Sequence, residues 1–159
     1  MTKLEVYTDG GSRNNGKPNA LGSWGYVMVS DDVNVREDKG SDTDFITNNQ
    51  NEILAVIKAL TSIVYTGKDV VVYSDSAYVV NCINDKWYVN WQKNGWKNSK
   101  KKPVENKELW EELLNQISRV EDECIVNVSF SKVKGHSGNK WNEHADLLVN
   151  EAMDEVLYD

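Results

Sequence analysis

An α/β fold with a mixed sheet is predicted by the order of hydrophobic patterns along this chain. Five stretches have the alternation or apolar composition of strands, and others place apolar residues at helical spacing. Three predicted strands come first, and helices then alternate with two more strands, which is typical of helices packed on a mixed sheet. The third strand is the most polar and is expected at the sheet edge. The predicted strands cover residues 4–9, 21–30, 33–40, 69–73 and 124–133.

The first predicted strand ends on an acid. Residues 4–9 run into Asp9, and the pair Gly10-Gly11 follows, so we expect the strand to break just after this carboxylate. Ligands bind at that end of the strands in open α/β sheets, and a buried carboxylate needs a cation, a proton or hydrogen bonds. The alternative is that Asp9 only caps a turn. The strand at 69–73 ends in the same way before Asp75, which favours a site.

Two further acids fall on predicted helices. Residues 47–52 form a polar turn ahead of apolar residues at helical spacing, so Thr47 or a neighbouring asparagine is the expected N-cap. Glu52 is then either an ordinary first-turn acid that favours the helix dipole or a third member of an acidic site. Other helices are predicted over residues 77–84, 105–120 and 142–157, and the last of these carries Asp146.

Length and cysteine content limit the class of protein. A chain of 159 residues is long enough for one domain, spanning residues 1–159, whose core needs neither disulfides nor a structural metal. The two cysteines, Cys82 and Cys124, form no CxxC pair, which fits a reducing compartment. The chain has no apolar run long enough to cross a bilayer and no basic leader. We therefore expect a cytoplasmic protein without a membrane partner.

Charge is distributed unevenly along the chain. The formal net charge is −7, yet the stretch over residues 86–107 has seven lysines and a single acid, Glu105, for a net charge of +6. Tryptophans interrupt these lysines at Trp87, Trp91 and Trp96. A basic stretch on an acidic body predicts one surface that faces a polyanion and another that holds cations. The alternative for the lysines is a solvated loop with no binding role.

The acids Asp9, Glu52, Asp75 and Asp146 form a candidate metal site. Four carboxylates that converge without a metal would repel one another and raise one another's pKa. A pair of divalent ions removes that repulsion, and Mg²⁺ prefers hard oxygen ligands of this kind. These four residues are therefore the candidate metal ligands.

Five blocks stand in order along nearly the whole chain: YTDGG, TNNQNE, SDSAYV, KWYVNWQKNGWKNSKKKPVENKELW, and VKGHSG running through NEHAD. Together they resemble type 1 ribonuclease H, the family that cuts the RNA strand of RNA–DNA hybrids. The resemblance implies a ribonuclease H-like fold, with a five-stranded mixed sheet whose first three strands are antiparallel and which helices flank. It also implies one catalytic domain with a basic handle over about residues 86–107.

The resemblance implies an activity as well. The expected reaction is endonucleolytic hydrolysis of the RNA strand of a hybrid, leaving 5′-phosphate and 3′-hydroxyl ends without strong sequence specificity. Two Mg²⁺ ions are the expected cofactors, with Mn²⁺ able to replace them. The expected partner is the RNA–DNA hybrid duplex, bound by a monomer with no obligatory protein partner.

Family positions can be carried over residue by residue. The catalytic positions are the metal-binding carboxylates Asp9, Glu52, Asp75 and Asp146, together with the family's mobile histidine at His136. The nucleic-acid contacts are Asn15, Asn48 and Asn49 in the minor groove, Thr47 and Asn106 in a pocket for a DNA phosphate, Trp87, Trp91 and Ser99 in the DNA channel, and Lys97, Lys100, Lys101 and Lys102 in the handle.

Three residues depart from the family pattern. Phe45 stands where some relatives have an arginine in the phosphate pocket, and Asn51 and Trp141 are unusual beside the acids that they flank. Two other functions stay open on the sequence. One is a non-catalytic module that only binds hybrids, against which the full set of acids counts. The other is a nuclease or transposase of the same fold that acts on DNA, although those usually lack the tryptophan-rich handle.

Overall fold

A computed structural model describes residues 3–133 and 139–157. Within these ranges, no helix is both long and apolar enough to span a membrane. The elements, in chain order, are β1 Leu4–Arg13, β2 Leu21–Ser30, β3 Val33–Asp42, α1 Asn48–Thr61, β4 Val70–Ser74, α2 Ala77–Asn84, α3 Trp87–Lys93, α4 Lys107–Cys124, β5 Val128–Lys132 and α5 Lys140–Leu157.

The strands form one mixed sheet in the order β3-β2-β1-β4-β5. Strands β1, β2 and β3 pair antiparallel, while β4 pairs parallel with both β1 and β5. The predicted five-stranded mixed sheet, with three antiparallel strands first, is therefore confirmed. The polar strand β3 lies at the edge, also as predicted.

Helices cover both faces of the sheet because the side chains of β1 alternate. Val6 belongs to the larger hydrophobic core, which includes Ile53 of α1 and Trp110 of α4. The next residue, Tyr7, belongs to a second cluster with Leu148 of α5. The central strand is thus covered on one side by α1 and α4 and on the other by α5.

The prediction that β1 breaks after Asp9 is wrong. The strand continues through Gly10 and Gly11 to Arg13, because β2 pairs with it antiparallel along this whole length. Asp9 therefore caps no turn either. The parallel pairing with β4 does end earlier, at Tyr7 opposite Tyr73, so Asp9 lies just beyond the carboxyl end of the parallel part of the sheet.

Several other boundaries differ from the prediction. Cys124 ends α4 and does not begin a strand, because the helix stops at Ile125, whose backbone is left-handed with φ 55°. At the other end, α4 begins at Lys107 after the left-handed Asn106, two residues later than predicted. The short helix α3 within the basic stretch was not predicted.

Candidate active site

Three acids from distant parts of the sequence converge at the carboxyl end of the parallel strands β1 and β4. One carboxylate oxygen each from Asp9, Glu52 and Asp75 lie within 4.8 Å of one another. Asp9 comes from β1, Glu52 from α1, and Asp75 follows directly after β4. Only 9 % of Asp9 and 8 % of Glu52 is exposed to solvent. Asp75 is half-buried, so solvent reaches the cluster on the side of this residue.

Gly10 allows Glu52 to reach Asp9. A Cβ atom at position 10 would lie 2.6 Å from the carbonyl oxygen of Asn51 and would overlap the backbone nitrogen of Glu52. The backbone N–H of Gly10 also donates a hydrogen bond to the Glu52 carboxylate. Helix α1 thus lies directly against the backbone of β1, and this contact brings the second acid beside the first.

Asn51 fixes the entry into α1. Its buried side-chain amide donates to the carbonyl oxygens of Phe45 and Thr47, both at 3.0 Å. Of the predicted candidates, Thr47 and the neighbouring asparagines, Thr47 is the N-cap, and it forms a capping box with Gln50. Asn51 therefore holds together the turn that precedes the acid Glu52, which gives a structural reason for one departure from the family pattern.

Glu52 is not a first-turn acid, since it is the fifth residue of α1 and the first turn contains no acid. Stabilisation of the helix dipole, the alternative weighed for it, acts mainly within the first turn. The side chain instead lies in the acidic cluster. Its position favours the role of a site residue over that of a helix-stabilising acid.

Asp146 approaches Asp9 from the opposite face of the sheet. Gly25 pairs with Asp9 across β1 and β2, and a Cβ atom there would lie 3.0 Å from the Cβ of Leu148 and 3.2 Å from the carbonyl oxygen of Ala145. Helix α5 therefore lies against the sheet beside Asp9. After burial and the charge of Asp75, the exposed Asp146 also raises the pKa of Asp9.

The acids shift one another's proton affinity. Burial, followed by the charge of Asp75, raises the pKa of Asp9 from its ordinary value of 3.8 to about 7. Burial also raises the pKa of Glu52 well above its ordinary value, followed by the charges of Asp9 and Asp75. Without a cation the cluster therefore holds protons near neutral pH. Buried oxygen ligands that repel one another suit a hard divalent ion such as Mg²⁺.

The predicted catalytic residue His136 lies outside the described residues. Helix α5 starts shortly after it, and that start is attached to the β2–β3 turn. The Nε1 of Trp141 donates to Asp32 at 2.9 Å, and the Nζ of Lys140 lies 3.0 Å from the other oxygen of the same carboxylate. Trp141 thus anchors the helix that carries Asp146. Asp32 was not among the predicted site residues, although two adjacent aspartates between predicted strands are typical of a hairpin turn.

A cavity of about 660 Å³ brings together five of the predicted nucleic-acid contacts. They come from three segments: the loop after β1, the start of α1 and the start of α4. Glu105, which the sequence analysis did not assign to any contact, also lines this cavity. The lining residues are Asn15, Thr47, Asn48, Asn49, Gln50, Glu105 and Asn106. Phe45 is not among them, and its side chain packs against the hydrophobic core.

The predicted handle lysines lie in an exposed turn. The Asn98 side chain accepts hydrogen bonds from the backbone N–H groups of Lys100 and Lys102, and Lys101 has a left-handed backbone with φ 62°. Within the described residues, the handle lysines form no salt bridge. All residues of this turn are exposed: Lys97, Asn98, Ser99, Lys100, Lys101 and Lys102.

Tryptophans connect α3 to the core. The ring of Trp91 lies 6.4 Å from Trp87, 6.0 Å from Trp96 and 6.0 Å from Trp110, between ring centroids. Trp110 is completely buried, whereas Trp87 is 37 % exposed. Trp87 is therefore the channel candidate with the most accessible ring, and Trp91 and Trp96 also pack against the core.

Comparison with known proteins agrees with this architecture. The family model for RNase H matches residues 1–154. The Ribonuclease H of Clostridium botulinum is 46% identical over 98% of both chains. LC9-RNase H1, a type 1 RNase H with the type 2 active-site motif, is similar with a TM-score of 0.77 at 26% identity over 98% of this chain and 74% of that one. LC11-RNase H1, solved in complex with RNA/DNA hybrid, is similar with a TM-score of 0.65 at 26% identity over 98% of this chain and 99% of that one.

The fold and the acidic cluster at the carboxyl end of its parallel strands define a nuclease of the ribonuclease H class. With the family match across most of its length and relatives above 40% identity, the chain belongs to the ribonuclease H family. The resemblance to the type 1 enzymes that the five blocks carry is thereby confirmed.

Proposed function

We propose that this chain is an endonuclease that hydrolyses the RNA strand of RNA–DNA hybrids and leaves 5′-phosphate and 3′-hydroxyl ends. The observation that carries the proposal is the convergence of Asp9, Glu52 and Asp75 in a member of this family. The crystallised relative LC11-RNase H1 binds an RNA/DNA hybrid, which supports the same substrate here. Since minor-groove contacts carry little sequence information, strong sequence specificity is not expected.

Asp9, Glu52, Asp75 and Asp146 would hold two Mg²⁺ ions, which Mn²⁺ could replace. When bound, such ions supply an activated water and stabilise the charge on the leaving oxygen. The protein's own part is to keep the carboxylates in place before substrate arrives. Gly10 does this through its N–H bond to Glu52, and the packing of α5 against Gly25 does it for Asp146.

Proton transfer and RNA selectivity fall to other groups in this proposal. His136, ten residues before Asp146, would carry a proton to the leaving group or assist product release. Selectivity for RNA requires a group that recognises the 2′-hydroxyl. Glu52 and the neighbouring backbone amides are the candidates, because they lie in the cluster that would hold the metal ions next to the scissile phosphate.

The hybrid would be positioned by two surfaces. Asn15, Asn48 and Asn49 would contact the minor groove, and the cavity that they share with Thr47 and Asn106 would receive a phosphate of the DNA strand. The exposed lysine turn over residues 97–102, with Trp87, Trp91 and Ser99, would contact the DNA strand further along. In this arrangement a monomeric chain needs no protein partner.

A cleavage assay tests the proposal. A hybrid labelled on its RNA strand should be cut in the presence of Mg²⁺ and left intact when the metal is chelated. Duplex DNA of the same sequence should stay intact, because it lacks the 2′-hydroxyl. Binding of the hybrid without cleavage would favour a non-catalytic module. Cutting of duplex DNA at a similar rate would favour a DNA nuclease of the same fold.

A further inference from the structure

The cavity that would receive a DNA phosphate carries a negative charge, whereas an anion site is expected to carry a positive one. Among the residues that the structure describes, Glu105 is its only formally charged lining residue, and no lysine or arginine lines it. Lys107, the nearest lysine in sequence, is not one of the lining residues. An exposed carboxylate in this position repels a phosphate, since like charges brought together at an interface weaken binding.

In the absence of lysines and arginines among the described lining residues, the attraction for a phosphate in this cavity comes from the N-terminal ends of two helices. Thr47 is the N-cap of α1 and Asn106 is the N-cap of α4, and both line the cavity. The side chain of Asn106 makes no capping hydrogen bond to α4. Helix N-termini carry free N–H groups and a partial positive charge, so two of them together favour an anion.

Glu105 occupies that same field. It immediately precedes the N-cap of α4, where a negative charge is stabilised by the helix dipole. The carboxylate therefore adds a negative charge to the cavity at the same helix start that would attract a phosphate. A substrate phosphate that enters the cavity must either displace this side chain or accept its repulsion.

We propose that Glu105 lowers the affinity of this enzyme for the DNA strand by repelling the phosphate that enters the cavity beside the start of α4. The proposal rests on the hybrid nuclease function proposed above. The proposal predicts that glutamate at position 105 does not give the tightest binding of the hybrid. Removing the charge should increase affinity, an outcome that damage to the fold cannot produce.

The experiment compares Glu105→Gln with Glu108→Gln. Glu108 is an exposed acid in the first turn of the same helix, but it does not line the cavity. Binding of a fluorescent RNA–DNA hybrid is measured with chelator at several salt concentrations, and KM and kcat are measured with Mg²⁺. We expect Glu105→Gln to bind roughly two- to fivefold more tightly, as for other exposed charge interactions, and to lower KM with kcat unchanged.

The gain should shrink as salt rises, because salt screens exposed charges. Glu105→Lys should bind more tightly still, and Glu108→Gln should resemble the wild type. Unchanged or weaker binding by Glu105→Gln would overturn the inference, as would an equal gain in Glu108→Gln, which would indicate a general charge effect. Wild-type cleavage in the same assay separates the two proposals. A wild type that cuts the hybrid while Glu105→Gln shows no gain refutes only the role of Glu105. A wild type that binds the hybrid without cutting it, while Glu105→Gln binds more tightly, refutes only the nuclease function.

Discussion

At the scale of single residues, substitution of Asp9 is expected to have the largest effect on cleavage and on stability. Asp9→Asn removes one charge from a buried, mutually repelling cluster and also one metal ligand. We expect cleavage to be abolished while the metal-free protein becomes more stable to denaturant. Cleavage assays and urea unfolding measure the two effects. Asp122→Asn, an exposed acid near the end of α4, serves as the control with the same charge change. Near-normal turnover of the Asp9 variant would refute the metal-site assignment.

Gly10 gives a prediction that does not depend on metal chemistry. Gly10→Ala would place a methyl group inside the backbone of α1, so the helix must shift and carry Glu52 away from Asp9. We expect a loss of roughly 1–3 kcal/mol in the free energy of unfolding, as for other overpacked sites, and a large loss of cleavage. Gly67→Ala is the matched control, since the nearest atom to its new Cβ would be 3.6 Å away. Equal activity of the two variants would contradict the close approach.

His136 is expected to assist and not to be essential. His136→Ala should lower turnover by roughly ten- to a thousandfold, because general acid–base catalysis contributes on that scale and water can substitute in part. Steady-state kinetics at saturating hybrid gives the measurement. His144, the other histidine, pairs with Glu37 and provides the comparison. A turnover equal to that of the wild type would remove His136 from the mechanism.

At the scale of elements, the turn after α3 supplies a test of the basic handle. Neutralising its four lysines should weaken hybrid binding, and the dependence of log K on log salt should flatten by about 0.9 for every phosphate that a lysine no longer neutralises. Turnover at saturating substrate should stay close to that of the wild type, since the acidic cluster lies on other elements. The variant replaces Lys97, Lys100, Lys101 and Lys102 with glutamine.

An aromatic variant separates charge from stacking in the same region. Trp91 contacts the fully buried Trp110, so Trp91→Ala would also disturb packing. Trp87→Ala is the better probe, because Trp87 has the more exposed ring. We expect its affinity to fall with the salt dependence nearly unchanged. An unaltered salt slope in the lysine variant would instead show that the basic turn is only a solvated surface.

At the scale of the whole molecule, the acidic cluster links folding to pH. The pKa of Asp9 in the folded, metal-free protein is about 7, above its ordinary 3.8, so the folded state binds more protons between these values. Its contribution to stability is complete below about pH 4 and is lost as pH rises through 7. Urea unfolding with chelator should therefore show stability that falls over this range relative to Asp9→Asn. Added Mg²⁺ should restore stability at pH 8, and parallel curves for both proteins would contradict the linkage.

The sequence determined the types and order of most elements, because hydrophobic periodicity records which faces are buried. It also limited the N-cap of α1 to Thr47 or a neighbouring asparagine, since capping depends on residues a few positions apart, and the structure then selected Thr47. The convergence of Asp9, Glu52 and Asp75 was expected from the positions of these acids at strand ends and on a helix, and the family resemblance implied it as well. Periodicity alone left the turn-cap and first-turn interpretations open for two of these acids.

The tertiary structure decided what depends on contacts between distant segments. Strand β1 runs through Gly10 and Gly11 because β2 supplies hydrogen-bond partners there, which the local signal of two glycines cannot reveal. Trp141 donates a hydrogen bond to Asp32, which lies more than a hundred residues earlier in the sequence. Glu105 looked like one acid within a basic stretch, yet it lines the cavity because the starts of α1 and α4 come together in space. Such pairings follow from how the strands pair and how the helices pack on the sheet, and no local pattern encodes them.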